Sequence, residues 1–187
     1  MLTNVLTPTY VQMLKALSGW LGNAQEQMPD GDAEALLSAR LAPDMFPLST
    51  QVRFACVQAQ EGVFRLKGET FPTSIDVLLN EGRNAAEHPG SIAEAQARID
   101  ETVALVESLA SEAFDVDPER AIAHALPAGM IFDLTAEQYA RDWALPQFYF
   151  HVMIAYAILR SGGIDLGKAD YVAHMFTYLR PGTMSSQ

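Results

Sequence analysis

Apolar residues recur at steps of three and four along three stretches of the chain, and this spacing predicts long amphipathic helices. A fourth stretch, 146–161, is apolar nearly all round and predicts a helix that the other three surround. Four long helices predict an all-α protein built as a four-helix bundle. The three stripes are Tyr10, Met13, Leu14, Leu17, Leu21 and Ala24; Val52, Ala55, Cys56, Ala59, Val63 and Leu66; and Ile92, Ala95, Ile99, Val103, Val106, Ala110 and Phe114.

Local signals predict where these helices begin and end. Thr7-Pro8 is typical of an N-cap followed by the first residue of a helix, and Pro146 fits the first position of the fourth helix. Ser91 with Glu94 makes a capping box at the start of the third helix. Gly68 is a natural stop for the second helix, and Gly162-Gly163 stops the fourth.

The segments between the long helices carry weaker patterns. We interpret 69–89 mainly as a connection, and its length favours a crossover over a tight hairpin. The stretch 115–135 is predicted to be irregular. Brief extended segments are predicted at 130–133 and at 138–143, before the last long helix. Residues 1–187 then form a single domain whose tail, about 178–187, is frayed.

The charge balance excludes two classes of partner. The 187 residues carry a formal net charge of -11, so the chain lacks the basic face that would bind nucleic acid or an anionic membrane. Much of this charge is local, because residues 87–119 contain nine acidic residues and one basic residue. We interpret it as the solvated side of the third helix, which keeps an apolar bundle in solution.

Cysteine usage and the longest apolar run indicate the compartment. A single cysteine, Cys56, excludes an internal disulfide and a CxxC centre, and a free thiol suits a reducing compartment. The longest apolar run, 148–159, is shorter than the about 20 residues that cross a bilayer. We therefore expect a cytoplasmic protein, without a cofactor and without a membrane partner.

One position in the fourth helix suggests chemistry. His151 is the only ionisable residue in the middle of that helix, and Gln147 lies one turn before it. Gln51 and Gln58 lie two turns apart on the second helix, and Tyr149 belongs to the aromatic cluster beside His151. Together these residues suggest a polar ligand pocket in an apolar surround. The alternative is a neutral histidine paired within the core, with the glutamines in solvent.

Two motifs carry a resemblance to a known family. The run from Ala39 to Leu48, followed by Gln51-Val52, and the run from Ala144 to His151, continuing to Arg160, resemble a domain-of-unknown-function subgroup of the DinB/YfiT-like superfamily. The resemblance spans nearly the whole chain. It implies a four-helix bundle with up-down-down-up crossover topology, and many relatives are homodimers.

The resemblance also implies where a metal would bind. Metal-binding members use one histidine from the second long helix and two, four residues apart, from the fourth. His151 matches the second histidine of that pair, Gln147 replaces the first, and Gln51 occupies the helix-two position. The resemblance therefore implies a degenerate site with one histidine of three and no metal.

Three functions follow as hypotheses. The first is a helical bundle without a catalytic metal that binds a small molecule near His151 and Gln147. The second is a dimeric structural or interaction module whose pocket is a vestige. The third is a metal-dependent transferase or hydrolase of the DinB type, for which the sequence supplies neither a complete metal site nor a convincing nucleophile.

Overall fold

The computed structural model of the protein describes residues 2–29, 32–111 and 116–183, and it is mostly helical. The predicted residues Phe114 and 184–187 lie outside this range. The elements in chain order are α1 (Thr3–Gln27), a 3-10 helix (Asp32–Ser38), α2 (Leu48–Lys67), α3 (Thr73–Asn84), α4 (Ile92–Ser111), β1 (Ala121–Ala125), β2 (Ile131–Thr135), α5 (Ala136–Gln138), a π-helix (Tyr139–Ala144), α6 (Leu145–Ser161), α7 (Lys168–Tyr171) and a 3-10 helix (Ala173–Tyr178).

The core forms where the four long helices α1, α2, α4 and α6 meet. Helix α2 packs against α6, α3 and α4, and α1 packs against α4, α2 and α6. The first two predicted stripes are buried completely, and the third is buried from Ile92 to Val106. Ala110 is exposed, so the inner face of α4 ends one turn earlier than its spacing indicates.

Two predicted helix ends are confirmed by their geometry. Gly68 ends α2 with φ of 72°, a left-handed conformation that glycine adopts without a steric penalty. At the start of α4, the Ser91 N–H donates to Glu94 Oε2 at 2.7 Å, and the Glu94 N–H donates to Ser91 Oγ at 3.1 Å. This reciprocal pair is the predicted capping box.

The prediction that Thr7 and Pro8 open the first helix is wrong. Helix α1 begins at Thr3, and Pro8 lies inside it. The extra turn brings Leu6 into the core with 1% of its surface exposed, and Thr7 is buried beside it. Burial of an apolar side chain outweighs the hydrogen bond that a proline removes so near the helix start.

The segment 69–89 is not mainly a connection, because it contains the twelve-residue helix α3. Ile75 and Leu78 are buried at a helical spacing of three, and Gly82 continues the same face. At Gly82 a Cβ would lie 2.5 Å from Cε1 of Phe54, so this glycine lets α3 approach α2 closely. A glycine on the packed face made the apolar stripe too short to recognise.

The stretch before the last long helix also differs from its prediction. Strands β1 and β2 pair antiparallel, with Ala121 opposite Thr135. Of the two predicted extended segments, only the first is confirmed, because residues 131–133 belong to β2. Residues 138–143 are helical rather than extended. Thr135 caps this turn, since it accepts from the Gln138 N–H at 3.2 Å and donates its own N–H to Gln138 Oε1 at 2.9 Å.

Helix α6 is not surrounded on all sides. Phe150 and Met153 have 54% and 41% of their surfaces exposed, while Phe148, His151 and Val152 are buried. One side of α6 therefore forms an apolar part of the protein surface. Within the described residues, the helices lack the combination of length and apolar content that a membrane span requires.

Candidate functional site

Gln51 and His151 meet between the first turn of α2 and the middle of α6. The Oε1 atom of Gln51 lies 2.9 Å from Nδ1 of His151, although the two residues are 100 positions apart. Gln51 is 2% exposed and His151 is 9% exposed. The packing of α2 on α6 thus places a hydrogen-bonded polar pair at one edge of the core.

The hydrogen bonds around this pair fix the tautomer of His151. Nε2 of Gln51 donates to the carbonyl oxygen of Phe46 at 3.1 Å, so the Oε1 atom of the same amide faces His151. A carbonyl oxygen only accepts, and Nδ1 of His151 must therefore carry the proton. Nε2 then holds a lone pair, and it has no hydrogen-bond partner among the described residues. The fully buried side-chain atoms without a hydrogen-bond partner do not include this Nε2 atom. Because Nε2 itself lacks a partner, it is accessible to solvent.

Two phenylalanine rings contact this imidazole and a third contacts one of them, and we call the three rings the aromatic rim. The rings of Phe54 and Phe150 contact His151 edge-on, with centroids 5.4 and 5.3 Å away, and Phe46 contacts Phe54 at 5.6 Å. Phe46 and Phe150 are 52% and 54% exposed. The acceptor atom of His151 therefore lies beside an apolar surface that is open to solvent.

Burial lowers the pKa of His151 to about 4. No charged group is needed to explain this shift, because removing an imidazolium ion from water disfavours its charged form. At neutral pH the residue is an uncharged imidazole. It accepts hydrogen bonds, but a base this weak is poorly matched to general-base catalysis near pH 7.

The other predicted site residues are less closely associated with His151. Gln147 is half-buried one turn before His151, and Gln58 is half-buried two turns along α2 from Gln51. Tyr149 lies about 200° around α6 from His151 and contacts Phe148, with centroids 5.8 Å apart. The structure thus brings Gln51 and His151 together and turns Tyr149 to a different face.

Sequence reasoning missed two members of the aromatic rim. Phe54 follows Gln51 by three residues, which places both on one face of α2, so the spacing contained this signal. Phe46 belongs to the loop before α2, where its carbonyl oxygen accepts from Gln51 and its ring contacts Phe54. No local pattern predicts such a contact.

A second histidine, His124 of β1, is buried without a hydrogen-bond partner among the described residues. It is 3% exposed, and both of its ring nitrogens are unpaired. Its ring packs on Trp143 and Tyr139, with centroids 4.4 and 5.4 Å away. Burial lowers its pKa, and the positive charge of Arg65 lowers it further. The residue packs the hairpin onto the π-helix.

The only cysteine lies beside a buried polar network rather than at an open site. Nε2 of Gln60 donates to Thr102 Oγ1 at 2.9 Å, and the Ser74 hydroxyl donates to Gln60 Oε1 at 2.8 Å. This network joins α2, α4 and α3. Burial raises the pKa of the Cys56 thiol to about 12, so the thiolate that a nucleophile requires is absent at neutral pH.

The residues around His151 do not fit a divalent metal ion. Across residues 2–29, 32–111 and 116–183, no group of three or more His, Cys, Asp or Glu side chains could hold one. The donor nearest to His151 is the neutral amide of Gln51, which already accepts the Nδ1 proton. Zinc sites use charged or imidazole ligands, usually at least three from the protein.

Comparisons with known proteins agree with this fold. The profile of the family described as "Domain of unknown function (DUF1993)" matches residues 2–172. A crystal structure of a DinB family member protein from Shewanella denitrificans is similar, with a TM-score of 0.72 and 30% sequence identity. That match covers 99% of this chain and 96% of the other. Among curated protein sequences there is no significant match. The chain belongs to the DUF1993 family, and its fold is that of a DinB-like helical domain.

Proposed function

We propose that the protein binds a small, uncharged and partly apolar molecule at His151, with the aromatic rim around the apolar part of the ligand. The observation that carries this proposal is the unpaired Nε2 lone pair of a neutral histidine beside exposed aromatic rings. An apolar surround with one well-placed polar group is typical of small-molecule sites.

The chemistry of the pair defines the class of ligand. A neutral acceptor selects a hydroxyl or an N–H donor, and an aromatic edge favours an apolar or aromatic body. An anion would meet the lone pair of Nε2 without a compensating donor, and a cation would lose its hydration beside Phe54 and Phe150. Gln51 acts as a positioning residue, since it holds the tautomer that exposes this lone pair.

Phenol tests this proposal, because it is an uncharged ring with one hydroxyl donor. We expect phenol to shift the NMR signals of the His151 ring and to bind about tenfold more tightly than toluene, which lacks the donor. Benzoate, which carries a negative charge, should bind more weakly than phenol. Replacement of His151 by leucine should remove the preference for phenol over toluene, while His88→Leu, in the exposed loop before α4, should retain it.

Two results would contradict ligand binding at this site. One is equal affinity for phenol and toluene in the wild-type protein. The other is an unchanged preference for phenol after His151→Leu, since Nε2 would then play no part in recognition.

A second candidate function is that of a dimeric interaction module, favoured by the exposed side chains of Phe46, Phe150 and Met153. A second copy of the chain would cover this apolar surface. In that case light scattering should give the mass of a dimer, and Phe150→Glu should give the mass of a monomer. Val77→Glu, at an exposed position of α3, is the matched control. A monomeric wild-type protein would contradict this candidate.

A further inference from the structure

A cavity of about 500 Å³ lies away from His151, between α2, α3, α4 and the loop that precedes α4. Its walls carry charged and polar side chains, which the aromatic rim lacks. Arg53 of α2, Asn80, Glu81 and Asn84 of α3, and Glu94 and Arg98 of α4 line it. The volume is in the range of sites for small organic ligands.

Arg53 is a buried cation with one side of its guanidinium group unpaired. The residue is 4% exposed, Nη1 donates to Ser49 Oγ at 2.8 Å, and Nε lies 3.6 Å from Glu81 Oε2. The Ser49 hydroxyl in turn donates to the carbonyl oxygen of Pro89 at 2.6 Å, which fixes it as an acceptor for Arg53. Nη2 has no hydrogen-bond partner among the described residues, although buried arginines are rarely left so.

Gly90 keeps the space in front of this group open. It adopts φ of 71°, and a Cβ at this position would lie 3.0 Å from Nη2 of Arg53 and 2.7 Å from Oε2 of Glu94. A cation and a carboxylate therefore face each other across an opening that any larger residue would fill. The two groups are not paired with each other at ion-pair distance in the structure.

The second arginine of the cavity is already neutralised. Nε and Nη2 of Arg98 donate to Glu81, with the shortest distance 2.6 Å, and Nη1 donates to Glu101 at 2.8 Å. Arg53 is thus the cation available to a ligand. Glu81 and Glu94 match the two lining arginines in number, and Glu101 adds a further carboxylate beside Arg98, so the cavity has no excess of positive charge to hold an ion with only negative charge.

Glu94 supplies the opposite charge. Its Oε2 atom accepts hydrogen bonds from the Ser91 backbone at 2.7 Å and from the Ser91 hydroxyl at 3.2 Å, while Oε1 has no partner among the described residues. These hydrogen bonds lower the pKa of Glu94, so the carboxylate is charged at neutral pH. Asn84 uses its Nδ2 on Asn80, which leaves its own carbonyl oxygen as a further acceptor.

We propose that this cavity binds a small zwitterion of the free amino acid class. The carboxylate of the ligand pairs with Nη2 of Arg53, and its ammonium group donates to Glu94 Oε1 and to the carbonyl oxygen of Asn84. Each charge of the ligand meets its complement, and the cavity gains no net charge when the ligand binds.

Calorimetry with glycine, alanine and glutamate tests this proposal, with acetate, ethylamine and inorganic phosphate as single-charge controls. We expect at least one amino acid to bind about tenfold more tightly than acetate or ethylamine, since each control makes only half of the contacts. Phosphate should not bind. Equal binding of acetate, or tighter binding of phosphate, would show an anion site and overturn the proposal, as would the absence of binding by all three amino acids.

Two variants that each remove one negative charge from α4 test where the ligand binds. Glu94→Gln keeps an amide oxygen for the capping box but removes the negative charge, so we expect affinity to fall about tenfold. Glu107→Gln makes the same change on α4, where the carboxylate pairs with Lys15 at 2.8 Å, and it should leave affinity unchanged. Equal effects of the two variants would also overturn the proposal. Circular dichroism should show that both variants are folded.

Discussion

Acidification from pH 7 to pH 4 should remove about 3 kcal/mol of the free energy of unfolding through His151 alone. The residue has a pKa of about 4 in the folded protein, against about 6.5 in an unfolded chain. Above pH 6.5 neither state binds the proton, and the residue has no effect on pH dependence. Between 6.5 and 4 the unfolded chain is protonated and the folded protein is not, so stability falls by about 1.4 kcal/mol per pH unit.

Denaturant unfolding of the wild-type protein and His151→Leu at pH 7 and pH 5 measures this effect. The difference in stability between the two proteins should shift by about 2 kcal/mol in favour of the variant at pH 5. Taking this difference removes the contribution of His124, whose burial also lowers its pKa and acts in the same direction. His88→Leu controls for the loss of a histidine as such. A parallel pH dependence of wild type and His151→Leu would contradict the burial of a neutral imidazole.

The low pKa of His151 also sets the pH range in which the proposed ligand site binds phenol. Protonation of Nε2 removes the lone pair that accepts the ligand hydroxyl, so phenol binding should persist from pH 8 to pH 5. It should disappear only near pH 4. A histidine with an ordinary pKa would lose the ligand near pH 6.5 instead. The pH dependence of binding thus reports on His151 separately from the stability measurement.

The predictions from sequence that succeeded rest on local chemistry. The glycine at 68 and the pair Ser91 and Glu94 act within a single turn, so neighbouring residues are enough to predict them. The stripes of α1 and α2 succeeded because an apolar face of about four turns leaves little ambiguity in its period. The all-helical class followed from these long stripes.

The failures have two causes, and the first is that tertiary contacts decide the structure. Helix α3 has a glycine at 82 on its buried face, which only the close approach of Phe54 explains. The helical turn after Thr135 was interpreted as extended, although Thr135 and Gln138 are spaced as a capping box. Both residues of this capping box lie within one turn, so this failure is local and does not result from tertiary contacts.

The candidate site was predictable only in part, for a similar reason. The sequence indicates that His151 lies on the apolar helix, but periodicity cannot say which residue of α2 faces it. The resemblance to the DinB/YfiT-like superfamily pointed to Gln51, and the two side chains are hydrogen-bonded. Arg53 gave no signal at all, since a charged residue beside a stripe is usually solvated rather than 4% exposed.

Gly62→Ala should destabilise the protein by about 2 kcal/mol, although alanine favours a helix by up to about 1 kcal/mol over glycine. Gly62 is buried in α2 against the side chain of Tyr10. A Cβ at this position would overlap the Tyr10 hydroxyl, and it would lie 3.0 Å from Cζ and 3.1 Å from Cε2 of that ring. Tyr10 cannot move aside easily, because it is fully buried and its ring packs on Phe148, with centroids 4.7 Å apart.

Tyr10→Phe identifies the cause of this loss. The Tyr10 hydroxyl is buried without a hydrogen-bond partner among the described residues, so its removal should be neutral or stabilise the protein by up to about 1 kcal/mol. When Gly62→Ala and Tyr10→Phe are combined, the methyl group added at position 62 occupies the space that the Tyr10 hydroxyl oxygen leaves. We therefore expect Tyr10→Phe to recover about 1 to 2 kcal/mol of the loss caused by Gly62→Ala.

Gly19→Ala is the matched control for this cycle. Gly19 lies on the exposed side of α1, and no atom outside its own helix turn is within 4 Å of the added Cβ. The helical preference of alanine should then act alone and stabilise the protein by about 0.5 to 1 kcal/mol, with no coupling to Tyr10→Phe. Midpoints and slopes of denaturant unfolding measure all six proteins: the wild type, the three single variants and the two double variants that contain Tyr10→Phe. If Gly62→Ala stabilises the protein as Gly19→Ala does, then the Tyr10 ring is free to move away from α2, and α1 and α2 do not pack closely at this point.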